Sequence, residues 1–303
     1  MAALRLKEAF LHLSQHSADS VQNGTHFTAW DDYMHVDRPI ENQLCARMDE
    51  IDRAGGGIVI LVGSAGDGKS HLLSRVRQMS DWGDENFYND ATASSSPKKT
   101  AVDTLKEALI DFNDANLQQT HRKMVLAINL GKLNALIGDE DFKMNYGQIV
   151  DSTWPIFDND DTPPPIDKDR VKVVMFVDQQ SFEFYADPKG YRVESDFLSK
   201  IMEKIVNPQP SNPFYNAYKD DLKDGVDPKD PLILNFELLS LPAVRHTIVM
   251  SIIEAIVRFK MNITPREMFD SFIPSWFIRK ITERKTTSLK PCYHHCYTVD
   301  VAI

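Results

Sequence analysis

The sequence is poor in several features that define whole classes of protein. Only three of its 303 residues are cysteine, an odd number that argues against a disulfide framework and is typical of a reducing compartment. No apolar run approaches the roughly 20 residues of a membrane-spanning helix. Residues 1–10 contain Arg5, Lys7 and Glu8 and lack the apolar core of a signal peptide. These absences predict a cytoplasmic protein that does not enter a membrane.

The chain also lacks a basic excess. Its 34 Lys and Arg face 44 Asp and Glu, which gives a formal net charge of −10. A chain this acidic is not expected to bind nucleic acid with its whole surface, so a contact with DNA would need a local patch or a basic partner. No arrangement of residues typical of a nuclease is visible, and neither is an internal repeat.

One glycine-rich stretch carries the strongest chemical signal. Gly63-Ser-Ala-Gly-Asp-Gly-Lys-Ser70 has the G-x-x-x-x-G-K-[ST] spacing of a phosphate-binding loop. The apolar run at 58–62 predicts a buried strand before it, and Leu72, Leu73 and Val76 predict a helix after it. Glycines let successive N–H groups point at phosphate oxygens, and the helix N-terminus adds partial positive charge. The stretch therefore predicts nucleotide binding, with a chance strand–turn–helix as the alternative.

The motif assigns a role to several side chains. Lys69 is expected to reach the β- and γ-phosphates of ATP as a catalytic residue, and the Ser70 hydroxyl is expected to hold Mg²⁺. Asp67 is a carboxylate close to phosphates, and we expect it to point away from them towards a basic partner. The predicted cofactor site comprises Gly63, Ser64, Ala65, Gly66, Asp67, Gly68, Lys69, Ser70 and His71.

ATP hydrolysis needs a second group, an acidic residue at the end of a neighbouring strand that holds Mg²⁺ through water. Asp178 ends the apolar run 171–178 and is the predicted catalytic and metal-binding carboxylate. The alternative is an aspartate that simply ends a strand. Gln179 follows it where many ATPases have a glutamate, so the residues leave hydrolysis open. Asp90 and Asn129 also follow predicted strands, and Asn129 would suit a sensor of the γ-phosphate.

Two further sets of residues are weaker candidates. Arg245, Arg258 and Arg266 lie in the helical part, where one of them could stabilise the charge of a transferred phosphate; surface ion pairs are the commoner role. Cys292-Tyr-His-His-Cys296 has metal-ligand residue types, but four ligands within five residues cannot easily close one tetrahedron. An unstructured terminus is the expectation there.

The order of elements predicts an α/β fold of the P-loop NTPase type, a parallel sheet with helices on both faces. Its strands are expected at 58–62, 85–92, 123–130 and 171–178. Three regions are expected, an N-terminal helical segment, a nucleotide-binding core and a helical lid-like region, at 1–50, 51–206 and 207–303. Within the third region we expect a long polar loop at 207–231, a helix from Thr264, and an irregular tail from about 280.

Several segments together resemble one family, the DptF component of DNA phosphorothioation-dependent restriction systems. They are Asp32-Tyr-Met-His-Val-Asp-Arg-Pro-Ile-Glu41, the Gly-Asp-Gly-Lys-Ser loop at 66–70, Asn89-Asp-Ala-Thr92, Ala127-Ile-Asn-Leu-Gly-Lys-Leu133, Asn212-Pro-Phe-Tyr215 and Ile263-Thr-Pro-Arg-Glu267. Only the loop is specific to a chemistry, whereas the other segments are specific to the family. They extend to about residue 275, and family members are longer, so the lid-like region is expected to be incomplete.

The resemblance implies a P-loop ATPase-like subunit that acts with sister subunits like DptG and DptH. Together these would restrict DNA that lacks the phosphorothioate mark, with DNA bound through the complex and cleaved by another subunit. Two alternatives stay open. One is a nucleotide-stabilised scaffold or regulatory switch that never hydrolyses ATP, which the missing glutamate beside Asp178 favours. The other is a small-molecule kinase, which the N-terminal helices and long loops fit poorly.

Overall fold

The structure is a computed structural model that describes residues 5–13, 29–64, 66–89, 101–157, 168–176, 183–187 and 190–259. Its strands are β1 (Gly57–Gly63), β2 (Phe87–Asn89), β3 (Lys123–Asn129), β4 (Val171–Met175), β5 (Glu183–Asp187) and β6 (Gly190–Glu194). Its helices before β4 are α1 (residues 6–13), α2 (Ala29–Met34), α3 (Pro39–Arg53), α4 (Lys69–Met79), α5 (Ala101–Ala108), α6 (Leu130–Gly138), α7 (Glu140–Asn145) and α8 (Gly147–Thr153). After β6 follow α9 (Asp196–Val206), α10 (Pro213–Lys223), α11 (Pro231–Ser240) and α12 (Pro242–Phe259).

The main sheet has four strands in the order β2-β3-β1-β4, and each pair of neighbouring strands runs parallel. β1 lies inside the sheet and is buried at every position. Such a strand needs apolar residues on both faces, because helices cover both sides of a parallel sheet. The α/β class and the parallel sheet predicted from the sequence are confirmed. β5 and β6 form a separate antiparallel hairpin that the sequence did not suggest.

Side chains of β1 alternate between two apolar cores. Val59 and Leu61 pack with residues of α3 and α4 on one face of the sheet. Ile58, Ile60 and Val62 pack with residues of α5, α6, α7 and α8 on the other face. The strand therefore joins the two layers of helices, and the loop that follows it emerges between them.

A third apolar core is built from helices alone. It joins α1 and Val36 to α9, α10, α11 and α12. The ring of Phe10 lies 5.3 Å from that of Phe214, and the ring of Trp30 lies 5.0 Å from it. The buried carboxylate of Asp221 accepts hydrogen bonds from Leu6 N at 3.1 Å and from the Arg5 guanidinium at 2.9 Å. The expected divisions at residues 50 and 206 stay predictions.

An ionic contact ties α3 to β3. The Asp52 carboxylate accepts a hydrogen bond from Trp82 Nε1 at 3.1 Å and pairs with Lys123 Nζ. Partial burial alone would raise the pKa of Asp52, but the hydrogen bonds from Lys123 and Trp82 outweigh that effect and bring the pKa below its ordinary value. Asp52 therefore stabilises the fold in its charged form.

The polar loop predicted at 207–231 is wrong, because α10 occupies much of it. Asn212 caps this helix with hydrogen bonds from the N–H groups of Phe214 and Tyr215 at 2.9 and 3.2 Å. Pro213 occupies the first turn, where the missing N–H costs nothing. Helix α11, over a stretch whose pattern was ambiguous, follows the same scheme with an Asp230 cap.

Other differences concern boundaries. β2 begins at Phe87 where the prediction began at 85, β4 ends at Met175 where the prediction continued to 178, and residues 90–92 and 177–178 lie outside the described part. Helices α2, α7 and α8 had no counterpart in the sequence interpretation. The expected helix from Thr264, the tail from about 280 and its cysteine–histidine cluster lie outside the described residues. In the part of the chain that the structure describes, no single helix is long and apolar enough to cross a membrane; α11 and α12 qualify only as a pair, bent by 88°.

Candidate functional site

The glycine-rich loop lies where two neighbouring strands lead to opposite faces of the sheet. β1 leads into α4, which packs on one face, and β3 leads into α6, which packs on the other. The ends of the two strands are in register, with Gly63 beside Asn129. Open parallel sheets bind ligands in the crevice that forms at the carboxyl ends of strands at such a point.

The backbone of the loop is shaped by glycines in conformations that other residues avoid. Gly66 has φ 88° and Gly68 has φ 95°, both in the left-handed region. Gly68 ends the loop and begins α4, since Leu72 N donates the first helical hydrogen bond to its carbonyl at 2.9 Å. The N–H groups of the first turn of any helix have no acceptor inside it, so this end of α4 favours an anion.

Lys69 folds back along the loop. Its Nζ donates a hydrogen bond to Gly63 O at 2.9 Å and another to Ser64 O. The ammonium group therefore lies at the start of the loop. Ala65, also a predicted site residue, lies outside the described residues.

Ser70 has a partner on another strand. Its Oγ accepts a hydrogen bond from Asn89 Nδ2 at 3.0 Å, and Asn89 is the last residue of β2. This contact orients the hydroxyl that the motif predicts to hold Mg²⁺. The sequence interpretation did not include Asn89 in the site, although Asn89 lies in a segment that carries the family resemblance.

Arg38 is the largest addition to the predicted site. Its guanidinium donates a hydrogen bond to Asp67 O at 3.0 Å and lies 4.9 Å from the centre of the Phe176 ring and 5.4 Å from that of Phe197. A Cβ atom added at Gly68 would come within 2.9 Å of Arg38 Nη2, so the loop backbone and the guanidinium are in direct contact. Burial lowers the pKa of Arg38, and the charges of Asp67 and Glu41 oppose that change.

The side chain of Asp67 turns back to the start of the loop, where its carboxylate accepts a hydrogen bond from Ser64 N. Its charge also stabilises the cationic form of Arg38. We expected Asp67 to point away from the phosphates, towards a basic partner. Arg38 is a cation whose charged form the Asp67 carboxylate stabilises. The loop is therefore held from inside by the Asp67 carboxylate and from outside by the hydrogen bond from Arg38 to Asp67 O.

Arg38 belongs to residues 32–41, which no sequence argument connected with the loop. Asp32 of the same segment forms a 2.8 Å ion pair with Arg75 in α4. His35 Nδ1 lies 3.1 Å from Nε2 of His71 in the first turn of α4. The segment therefore runs along the start of α4 and holds it from outside the sheet.

His71, a predicted cofactor residue, is engaged with His35, and their rings stack at 5.4 Å. Burial, together with the neighbouring His35, lowers the pKa of His71 to about 4. The imidazole is therefore neutral at pH 7. A neutral His71 can accept a hydrogen bond from His35, which fixes the two rings relative to each other.

The remaining predicted residues divide into two groups. Asp178, Gln179, Asp90 and Arg266 lie outside the described residues. The described stretch that contains β4 ends at Phe176, whose N–H donates to Val62 O at 2.9 Å. The other group has local structural partners.

Asn129 caps α6 by accepting a hydrogen bond from Lys132 N at 2.8 Å. Arg245 donates to Leu239 O and Ser240 O at 3.1 and 2.7 Å, and Arg258 pairs with Glu254 at 2.9 Å. Arg245 of α12 therefore binds the last carbonyl groups of α11, whereas Arg258 pairs within α12.

Comparison of the chain with protein-family models, with curated proteins and with solved structures gave no match. The function must therefore be argued from the site itself and from the segments that resemble a known family.

Proposed function

We propose that the chain binds ATP with Mg²⁺ at residues 63–71 and that its sheet is of the P-loop NTPase type. The observation that carries this proposal is the position of the loop. It follows the central buried strand β1, opens an eleven-residue helix and lies at the switch point of the sheet. A chance strand–turn–helix with the same spacing has no reason to occupy that point.

The residues present fit a bound nucleotide. The N-terminal turn of α4 would hold the phosphates, and Lys69 would neutralise their charge in place of its present contacts with two carbonyl groups. Ser70, already fixed by Asn89, would bind Mg²⁺, with Asp178 as the proposed second metal-binding residue. Mg²⁺ bound there would supply charge neutralisation to the phosphate chain. Arg38 would keep the loop in its binding conformation.

We further propose that the chain is the DptF-like ATPase subunit of a cytoplasmic phosphorothioation-dependent restriction system, acting with DptG-like and DptH-like subunits. Three of the six segments that carry this resemblance meet at the loop, and a fourth lies beside it at the end of β3. The three supply Arg38, the loop itself and Asn89, and the fourth puts Asn129, which caps α6, next to Gly63. Family-specific segments that are far apart in sequence and contribute residues to the same site are expected if they serve a common function.

A scaffold that binds ATP without hydrolysis is the second candidate. One observation favours it: the described strand ends beside the loop carry the amides Asn89 and Asn129, where hydrolysis would use a carboxylate. Asp178 is the residue that distinguishes the two candidates, because it would supply the missing charge.

The deciding experiment is ATP binding and phosphate release by the purified chain, with and without DNA. Lys69→Ala is the test variant, and Lys200→Ala, an exposed lysine of α9, is the matched control. We expect Lys69→Ala to abolish binding and Lys200→Ala to leave it unchanged. Turnover that is lost in Asp178→Ala while binding persists would establish the ATPase. Binding without turnover in the native chain would favour the scaffold, and equal binding by both lysine variants would refute the site.

The system-level proposal has its own test. Cells that carry the DptG-like and DptH-like subunits should restrict unmarked plasmid DNA when the native chain is supplied, and should lose restriction with Lys69→Ala. Co-purification of the three subunits is the accompanying measurement. Restriction that is unchanged by omission of the chain would contradict the proposal.

A further inference from the structure

Beside α4, three side chains bring metal-ligating atoms together. His35 Nε2 lies 3.0 Å from Glu41 Oε2 and 3.1 Å from Asp37 Oδ1, and the donor atoms of the three residues all lie within 4.8 Å of one another. His35 and Asp37 stand in the extended stretch between α2 and α3, and Glu41 stands in the first turn of α3. Because the three residues are close together in the sequence, the local course of the backbone is enough to bring their side chains together.

Hydrogen bonds alone leave this group unsatisfied. The Nε2 atom of His35 carries at most one hydrogen, yet two carboxylate oxygens converge on it. Glu41 is only 8% exposed, and its Oε2 accepts no hydrogen bond from the residues that the structure describes. The nearest guanidinium is that of Arg75, whose Nε lies 4.0 Å from the other oxygen of Glu41. A buried carboxylate oxygen without a donor is costly, and a cation at this point would remove the cost.

We propose that His35 Nε2, Asp37 and Glu41 bind one divalent transition-metal ion of the zinc class, with water completing its coordination. Bonds of 2.0–2.2 Å from zinc to nitrogen and oxygen put neighbouring ligands roughly 3.0–3.5 Å apart, which matches the two separations from His35 Nε2, at 3.0 and 3.1 Å. An imidazole combined with two carboxylates selects such an ion over Mg²⁺, which prefers oxygen ligands and water. Two carboxylates also balance the charge of a dication.

The second ring nitrogen of His35 supports this assignment. Histidine ligands usually donate their other N–H to a fixed partner, which orients the ring towards the metal. His35 Nδ1 lies 3.1 Å from His71 Nε2, so His71 is the positioning residue outside the ligand set. The ion would therefore fix the conformation of residues 35–41, and the His35–His71 contact would hold them against the first turn of α4. It is separate from the Mg²⁺ of the proposed nucleotide site and does not depend on that proposal.

The test is cobalt binding by the purified, chelator-stripped full chain. Visible absorption would report Co²⁺ at the site, Zn²⁺ would be added as a competitor, and mass spectrometry of the Zn²⁺-loaded protein would give the stoichiometry. To exclude the C-terminal cluster, every protein carries substitutions to Ser or Ala at Cys292, His294, His295 and Cys296. We expect one Co²⁺ per chain, displaced by Zn²⁺ and not by a large excess of Mg²⁺.

The variants locate the ion. His35→Ala and Glu41→Gln should abolish Co²⁺ binding, and His71→Ala should weaken it about 10- to 100-fold, as loss of an outer partner does elsewhere. His121→Ala removes an exposed imidazole and should bind like the parent. Asp37→Asn changes a side chain that is 92% exposed and should weaken binding in a folded protein, even if the buried variants do not fold. Equal binding by the His35→Ala and His121→Ala variants, or none by the folded parent, would overturn the proposal.

Discussion

Replacing Arg38 by Ala should weaken both the fold and the proposed phosphate site. The variant loses the hydrogen bond from the charged guanidinium to Asp67 O, worth about 1.5–3 kcal/mol. It also loses two cation–π contacts, at 4.9 and 5.4 Å, each worth about 0.5–1 kcal/mol. Water that enters the space recovers part of this, so we expect the free energy of unfolding to fall by about 2–3 kcal/mol.

ATP affinity should fall as well. Without Arg38, part of the binding free energy of ATP must be spent on ordering the loop. Each 1.4 kcal/mol spent in this way raises the dissociation constant about tenfold, so we expect a rise of about 10- to 100-fold in all. Arg38→Lys keeps the charge but loses the planar group that stacks on Phe176 and Phe197, so it should give an intermediate result. Urea unfolding followed by circular dichroism, together with titration of ATP, measures both effects.

The control is Arg53→Ala, which removes an exposed arginine from the opposite end of α3. It should change the free energy of unfolding by less than about 0.5 kcal/mol. The reasoning would be refuted if Arg38→Ala matched Arg53→Ala in stability. The stability comparison is informative even for a chain that binds no ATP.

Three further predictions concern positions with distinct physical causes. Gly225→Ala, at φ 86°, should destabilise by about 1 kcal/mol in thermal unfolding, whereas Gly138→Ala, with open space and ordinary φ, should stabilise by up to about 0.5 kcal/mol; equal shifts would argue against strain. Asp52→Asn should lower the free energy of unfolding at pH 7 by at most about 1 kcal/mol, since the carboxylate is partly exposed. Because folding lowers the Asp52 pKa, this difference should shrink as the pH falls from about 5 towards the folded-state pKa; a constant difference down to pH 3 would contradict its origin. Asn89→Ala frees the Ser70 hydroxyl and should weaken Mg²⁺-dependent ATP binding several-fold without affecting Mg²⁺-free binding, as isothermal titration can test.

The loop and its flanks could be predicted from the sequence because their signals are local. β1 is apolar at each position since both faces are covered, and the residues after Lys69 repeat at helical spacing. The role of Arg38 could not be predicted, because it reaches Asp67 across 29 positions through the packing of α3 against the sheet. No pattern in the segment 32–41 indicates which of its charges faces the loop.

The missed helix α10 has a different cause. Its inward face contains Phe214, Ala217 and Asp221, and the aspartate interrupts the apolar period that would identify a helix. Asp221 is tolerated inside because Leu6 N and Arg5 bind it. The pattern is therefore completed by residues from the other end of the chain, which no window around 213–223 contains. Pro213 contributed to the error, because the sequence alone does not distinguish a proline that begins a helix from one that ends it.

The same pairing has a consequence for how the protein is made. The hydrogen bond from Leu6 N to Asp221 spans 215 positions, and Phe10 packs on the similarly distant Phe214. At roughly 5–20 residues per second, synthesis takes about 10–40 s to supply these partners. During that interval the apolar face of α1 lacks the surface that α9, α10, α11 and α12 later provide, while β1 can already meet α3 and α4. Helix α1 is therefore a part of the nascent chain that we expect chaperones to occupy.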